Sequence, residues 1–89
     1  MLFAEFAHLL ILRIRQKVFG EEHPDYATSL NNIGMVNHKI GNYDKALEYL
    51  EKCLIIRQKV LGEEHPDYAA TLNNIGIVYD SMRNLDKAL

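Results

Sequence analysis

The sequence contains few of the residues that mark several classes of protein. Its 89 residues include one cysteine, Cys53, which excludes a framework of intrachain disulfide bonds and is typical of a reducing compartment. We therefore expect a cytoplasmic location. The net charge is −2, and acidic and basic residues are interspersed. No basic stripe exists to neutralise phosphates, so nucleic acid is not expected as a partner.

The sequence also lacks an apolar run long enough to cross a bilayer, which requires about 20 residues. The longest apolar stretch is residues 2–12, where nine of eleven side chains are apolar. The positive charges Arg13 and Arg15 follow this stretch, whereas a secretory signal carries its positive charge in front. A buried helix of the folded domain is the favoured interpretation, and a targeting or membrane segment is the alternative.

A long internal repeat is present instead. Residues 15–47 and 57–89 align without a gap at a spacing of 42 residues, and 23 of the 33 aligned positions are identical. Self-similarity at a period of 20 to 50 residues is the signature of stacked-repeat proteins, in which each unit buries its apolar face against its neighbours. Such arrays hold other proteins more often than they catalyse reactions.

The apolar spacing and the helix signals predict an all-α fold. Gly20, Gly41 and Gly62 suit the residue that follows a helix, and Pro24 and Pro66 suit the first helical turn. These signals predict helices at about 2–18, 24–40, 43–61 and from 66 onward. Because the connections are short, successive helices should be antiparallel.

Two positions of the repeat carry further predictions. Gly34 and Gly76 lie inside predicted helices, and their recurrence indicates a close approach between the two helices of a pair. Arg83 stands where the first copy has Gly41, and a left-handed conformation there costs roughly 1–2 kcal/mol. We therefore predict that the fourth helix continues through Arg83 without a turn.

The pattern of Leu30, Ile33-Gly34, Gly41-Asn42-Tyr43 and Ala46, with its partial copy from Leu72 onward, resembles a tetratricopeptide repeat. The 42-residue period is similar to the kinesin light chain subclass. The resemblance implies a right-handed superhelical array of antiparallel helix pairs, with about two repeats in a shifted frame. Residues 1–19 would form a second-type helix and 24–61 a complete pair. Residues 66–89 would form a first-type helix and the truncated start of a second one.

In that family the first helix of each pair lines a concave groove, and the resemblance implies binding of other proteins or peptides there. The corresponding residues are Asn31, Asn32, Met35, Lys39, Asn73, Asn74 and Ile77. A carboxamide offers a donor and an acceptor together, so Asn32 and Asn74 are the best candidates for contacting a peptide backbone. Alternatively, these asparagines are merely solvated or bond adjacent helices.

Other residues with chemical potential have simpler interpretations. Glu21, Glu22, His23 and Asp25, with their copies 42 residues later, fit the start of a helix better than a metal or acid–base site. Cys53 occupies a small core position, and a buried thiol is favoured over a nucleophile. No catalytic grouping, metal site or cofactor motif is found, so we expect neither an enzyme nor a cofactor.

The first helix is apolar nearly all round. Phe3, Phe6, Leu9 and Leu10 stand where the third helix has Lys45, Glu48, Glu51 and Lys52. The stripe that should face the next pair is Ala4, Ala7, Ile11, Ile14 and Val18. Tyr79 and Met82 should be uncovered on the fourth helix, together with Leu72 and Ile75. A helix that is apolar all round needs cover, so homo-oligomers are expected, a two-fold dimer above all. The alternative to a peptide-binding module is thus a self-assembly module, or a fragment of a longer array.

Overall fold

Four α-helices make up the computed structural model, with the bounds α1 Phe3–Phe19, α2 Pro24–Lys39, α3 Tyr43–Val60 and α4 Pro66–Ala88. The structure describes the backbone of residues 3–19 and 23–88 and the side chains of residues 3–14 and 23–85. No strand occurs among these residues. The all-α prediction is confirmed, and the boundaries differ from the predicted ones by no more than one residue. The predictions for Gly20, Glu21, Glu22, Leu89 and the side chain of Val18 concern residues outside the described part of the chain.

The two copies of His-Pro-Asp begin α2 and α4 in the same way. The backbone N–H of Asp25 donates to Nδ1 of His23 at 3.0 Å, and that of Asp67 donates to Nδ1 of His65, also at 3.0 Å. Each histidine thus satisfies one of the backbone donors that a helix start leaves without a partner. This arrangement confirms the helix-start interpretation for His23 and Asp25.

Glycine ends two of the helices, as predicted. Gly41 has a φ of 83° and Gly62 a φ of 93°, the left-handed region that glycine enters at no steric cost. Arg83 has no such conformation, and α4 runs without interruption from Pro66 to Ala88. The prediction of a continuous fourth helix is confirmed.

The helices pack in chain order, α1 on α2, α2 on α3 and α3 on α4. The backbones of α2 and α4 also come within contact distance, whereas those of α1 and α3 do not. Consequently α2 and α4 form the tighter side of the array. Tighter packing on one side curves a helical array and makes that side concave.

Two apolar clusters hold the layers together. One joins Leu12 of α1, Ala27 and Leu30 of α2, and Cys53 of α3. The other joins Ala46 and Leu50 of α3 to Val78 of α4. The first cluster spans three helices and the second spans two. The helices therefore bury their apolar side chains against one another, as expected of a stacked array.

The predicted inner stripe of α1 is wrong. Ala4, Ile11 and Ile14 are exposed, and the side facing α2 carries the buried Glu5 and Leu12 with the half-buried His8 and Leu9. The spacing 5, 8, 9, 12 is that of one helical face. Because Leu12 packs into the Leu30–Cys53 cluster, α1 is rotated from the predicted register.

Candidate functional site

The α2/α4 face is built around two hydrogen bonds between helices that are not adjacent in the chain. Nδ2 of Asn74 donates to Oδ1 of Asn31 at 2.9 Å. About two helical turns further on, Nε2 of His38 lies 2.8 Å from Oγ of Ser81. Both pairs are partly buried, so they fix the spacing of the two helices that form the concave side.

The predicted groove residues divide into two groups on this face. Asn32, Lys39, Asn73 and Ile77 are exposed. Asn31 and Asn74 are half-buried and bonded to each other, which is the adjacent-helix role given as an alternative. Met35 is half-buried and packs against the Ala46–Leu50–Val78 cluster, so it supports the face from below.

A buried network of hydrogen bonds surrounds the hydroxyl of Thr71, where α3 meets α4. Nη1 of Arg57 donates to Oγ1 of Thr71 at 2.8 Å and to the carbonyl of Asp67 at 3.3 Å. Oγ1 of Thr71 in turn donates to the Asp67 carbonyl at 2.9 Å. Sγ of Cys53 lies 3.7 Å from the same hydroxyl.

The Cys53 thiol has the properties of a structural residue. It is completely buried, and burial raises its pKa above the ordinary value, more than the opposing charge of Arg57 lowers it. A raised pKa disfavours the reactive thiolate. Within the described residues, no group of three histidine, cysteine or acidic side chains is placed to hold a metal ion.

The outer face of α1 exposes large apolar side chains. Phe3 is 86% exposed, Phe6 56% and Leu10 49%, as the sequence comparison with α3 predicted. Leu9 departs from that prediction, since it is half-buried on the side that packs on α2. Ile11 and Ile14 are exposed in its place.

On α4, two of the four residues expected to be uncovered are exposed. Leu72 is 47% exposed and Tyr79 51%. Ile75 and Met82 pack against the Ala46–Leu50–Val78 cluster, so their exposure was wrongly predicted. They lie on the α3 side of the helix, whereas Leu72 and Tyr79 lie on the neighbouring, exposed side.

Sequence reasoning missed two polar residues of α1. Glu5 is buried, and its charge is one reason, after burial and Glu48, that the pKa of Tyr49 is raised. His8 borders a small groove of about 90 Å³ together with Ile11, Ser29 and Asn32. The only signal for either residue is its position one repeat before Leu47 or Leu50, which face other helices of the array.

The fold and these faces define a helical-repeat array of the kind that acts as a non-catalytic scaffold. The sequence profile of the tetratricopeptide repeat matches residues 7–54 and 30–89. The chain belongs to the tetratricopeptide repeat family.

Two known proteins show the extent of the similarity. The crystal structure of BtubC (BKLC) from P. vanneervenii superimposes with a TM-score of 0.84 and 28% identity, over 94% of this chain and 33% of that one. The Clustered mitochondria protein homolog of Homo sapiens is 51% identical over 37 residues, which are 42% of this chain and 3% of the relative. The chain therefore spans only a part of either protein. No helix in the described part of the chain has the length and apolar character to span a membrane.

Proposed function

We propose that this chain is a protein-interaction module whose α2/α4 face binds extended peptide segments of partner proteins in the cytoplasm, without catalysis. The observation that carries the proposal is a strip of exposed side chains on that face, where Asn32, Lys39, Asn73 and the apolar Ile77 flank the Asn31–Asn74 bond. Members of this family bind other proteins, and concave array surfaces are the usual place.

Asparagines suit recognition of a peptide backbone. The Asn31–Asn74 bond uses one N–H of Asn74, and the carboxamide still offers a second N–H and an acceptor oxygen. Asn32 is exposed at the equivalent position of α2, one repeat earlier. Since the two residues are one repeat apart, they can contact successive parts of one extended peptide. Asn31, Lys39 and Asn73 would set the preference for neighbouring side chains.

Selection from a displayed library of random ten-residue peptides, followed by calorimetry, tests this proposal. Two repeats give a short groove, so we expect dissociation constants on the order of 10 μM to 1 mM, equivalent to about −4 to −7 kcal/mol. The double variant Asn32→Ala, Asn74→Ala should lose this binding. Asn42→Ala is the matched control, because Asn42 is exposed at the α2–α3 turn and makes no capping bond. Equal binding by both variants would remove the proposal.

A second candidate function is self-assembly through the outer face of α1. Its support is the exposure of Phe3, Phe6 and Leu10, each of which forgoes roughly 1.5–3 kcal/mol of burial energy in an isolated chain. Such an apolar patch is typical of a contact surface.

Sedimentation velocity of the variant Phe6→Glu, Leu10→Lys tests the self-assembly function. We expect the variant to remain folded and to have a lower mass than the parent chain. A matched control is Lys45→Glu, Lys52→Glu, which changes charge on the outer surface of α3, where both lysines are exposed. A variant with the mass and stability of the parent would refute this function.

A further inference from the structure

The two ends of the array expose faces that are buried one repeat further in. On α2, the face toward α3 carries Ala27, Leu30, Gly34 and Asn37, and all four are buried. Their copies on α4 are Ala69, Leu72, Gly76 and Tyr79, and all four are exposed. Among the described residues no helix lies against this face of α4.

The surroundings of Gly34 and Gly76 show the same difference in atomic distances. A β-carbon added to Gly34 would lie 2.8 Å from Cγ of Leu50, so α3 can approach α2 only because residue 34 is glycine. A β-carbon added to Gly76 would meet nothing within 4 Å. The second copy thus has the small residue that a close second-type helix requires, but among the described residues no such helix lies against it.

At the other end of the array, α1 exposes side chains whose copies in α3 are buried. α1 is the repeat copy of α3, and its Ala4 and Ile11 are exposed where Ala46 and Cys53 are completely buried. A groove between α1 and α2 is lined by His8, Ile11, Ser29 and Asn32. It corresponds, one repeat earlier, to the groove between α3 and α4, and α2 fills that groove within the chain. A first-type helix is therefore the shape that fits α1.

The polar residues at these ends match each other. Shifting the Asn74–Asn31 bond by one repeat pairs Asn32 with Asn73 of another copy, and both side chains are exposed. Shifting the His38–Ser81 bond in the same way pairs Lys39 with Asp80. Both of these residues are exposed, and their charges are opposite. The repeat register alone produces this charge complementarity.

We infer that copies of this chain stack head to tail, with α4 of one copy seated against α1 and α2 of the next. The contact copies the packing of α2 on α3 and α4, with Leu72, Gly76 and Tyr79 covering Ala4, His8 and Ile11. It is a heterologous contact, which continues from copy to copy rather than closing as a two-fold dimer. It leaves Phe3, Phe6 and Leu10 outside, so it does not use the outer face of α1, but it shares Asn32, Lys39 and Asn73 with the proposed peptide-binding face.

A charge exchange on the intact chain tests this inference by sedimentation over a range of concentrations. The parent should show a mass that rises progressively with concentration. Lys39→Asp and Asp80→Lys should each lower the association constant about ten-fold or more, because each brings like charges together. The double variant should recover association, because its two exchanged charges are again opposite. An equimolar mixture of the two single variants should also associate, because the charge at position 39 of one variant is opposite to the charge at position 80 of the other.

Gly76→Ala provides a second measurement that separates assembly from folding. The substitution meets no atom within the chain, so the monomer should remain folded and unfold at a temperature no lower than the parent. In the stack the new methyl group would collide with the incoming His8, and the rise of mass with concentration should disappear. Lys45→Asp on the outer surface of α3 is the control for a change of charge alone.

Three results would overturn the inference. A parent chain that stays monomeric at every concentration would show that these faces do not stack on each other. A discrete dimer that ignores both charge substitutions and yields to Phe6→Glu, Leu10→Lys would assign assembly to the outer face of α1. Association unaffected by Gly76→Ala would exclude the packing copied from α2 and α3.

Discussion

Nη1 of Arg57 lies 2.8 Å from Oγ1 of Thr71, and this hydrogen bond joins the last turn of α3 to the second turn of α4. Arg57 is a charged residue at a core position, where it is only 8% exposed. Its guanidinium donates to Oγ1 of Thr71 and to the Asp67 carbonyl. These two hydrogen bonds give the reason for a charge at a core position.

Arg57→Met should destabilise the fold by about 1.5–3 kcal/mol, since it retains the apolar stem and removes charge-assisted hydrogen bonds. Urea unfolding followed by circular dichroism measures the change. Arg83→Met is the matched control, because Arg83 is exposed, and it should shift stability by no more than about 0.5 kcal/mol. Equal effects of the two substitutions would contradict the assigned role of Arg57.

Gly34→Ala should lower stability, although alanine is the better helix former by roughly 1 kcal/mol. The added methyl group would lie 2.8 Å from Cγ of Leu50 and 3.2 Å from the Ala46 carbonyl oxygen, so α3 would have to move. Overpacking of this kind costs about 1–3 kcal/mol. Thermal unfolding at low protein concentration provides the comparison with Gly76→Ala, which should be neutral or stabilising. A Gly34→Ala chain as stable as Gly76→Ala would show that α2 and α3 are not held at this distance.

Asn37→Leu should stabilise the chain by about 1 kcal/mol. Asn37 is completely buried, and its Nδ2 donates to the Ile33 carbonyl at 2.8 Å, but no partner for its Oδ1 is found among the described residues. A leucine has the same branched shape and number of heavy atoms, and it removes this buried oxygen. Denaturant titration gives the free energy of unfolding, and Asn37→Asp is the control that should destabilise by burying a charge. A fall in stability with leucine would mean that the oxygen has a partner.

Stability should decline as the pH rises above about 8.5, where an exposed thiol ionises. Burial raises the pKa of Cys53 in the folded chain, so the unfolded state loses its proton first. The contribution is fully present below the unfolded pKa and is lost as the pH rises through the folded one. Unfolding free energies measured at several pH values should show this decline, and Cys53→Ala should reduce it. Burial also raises the pKa of Tyr49, which acts in the same direction at still higher pH. An unchanged slope in Cys53→Ala would assign the effect to other groups.

Much of the fold could be predicted from the residues because its signals are local. The turn at Gly41 needs only a residue that tolerates a positive φ, and the start of α2 needs only His23, Pro24 and Asp25. The continuity of α4 follows from Arg83 for the same reason. The internal repeat then predicts the pairing of the helices, since identical segments bury the same face.

The orientation of α1 required the folded chain. Apolar side chains surround this helix, so several stripes satisfy the helical period equally well, and only the contact of Leu12 with Leu30 and Cys53 selects one. The same holds for the polar face. The sequence placed Asn31 and Asn74 among the groove residues, but a hydrogen bond between residues 43 positions apart depends on how closely α2 and α4 approach. Local preferences define the helices, and the long-range packing of side chains determines which residues each helix leaves exposed.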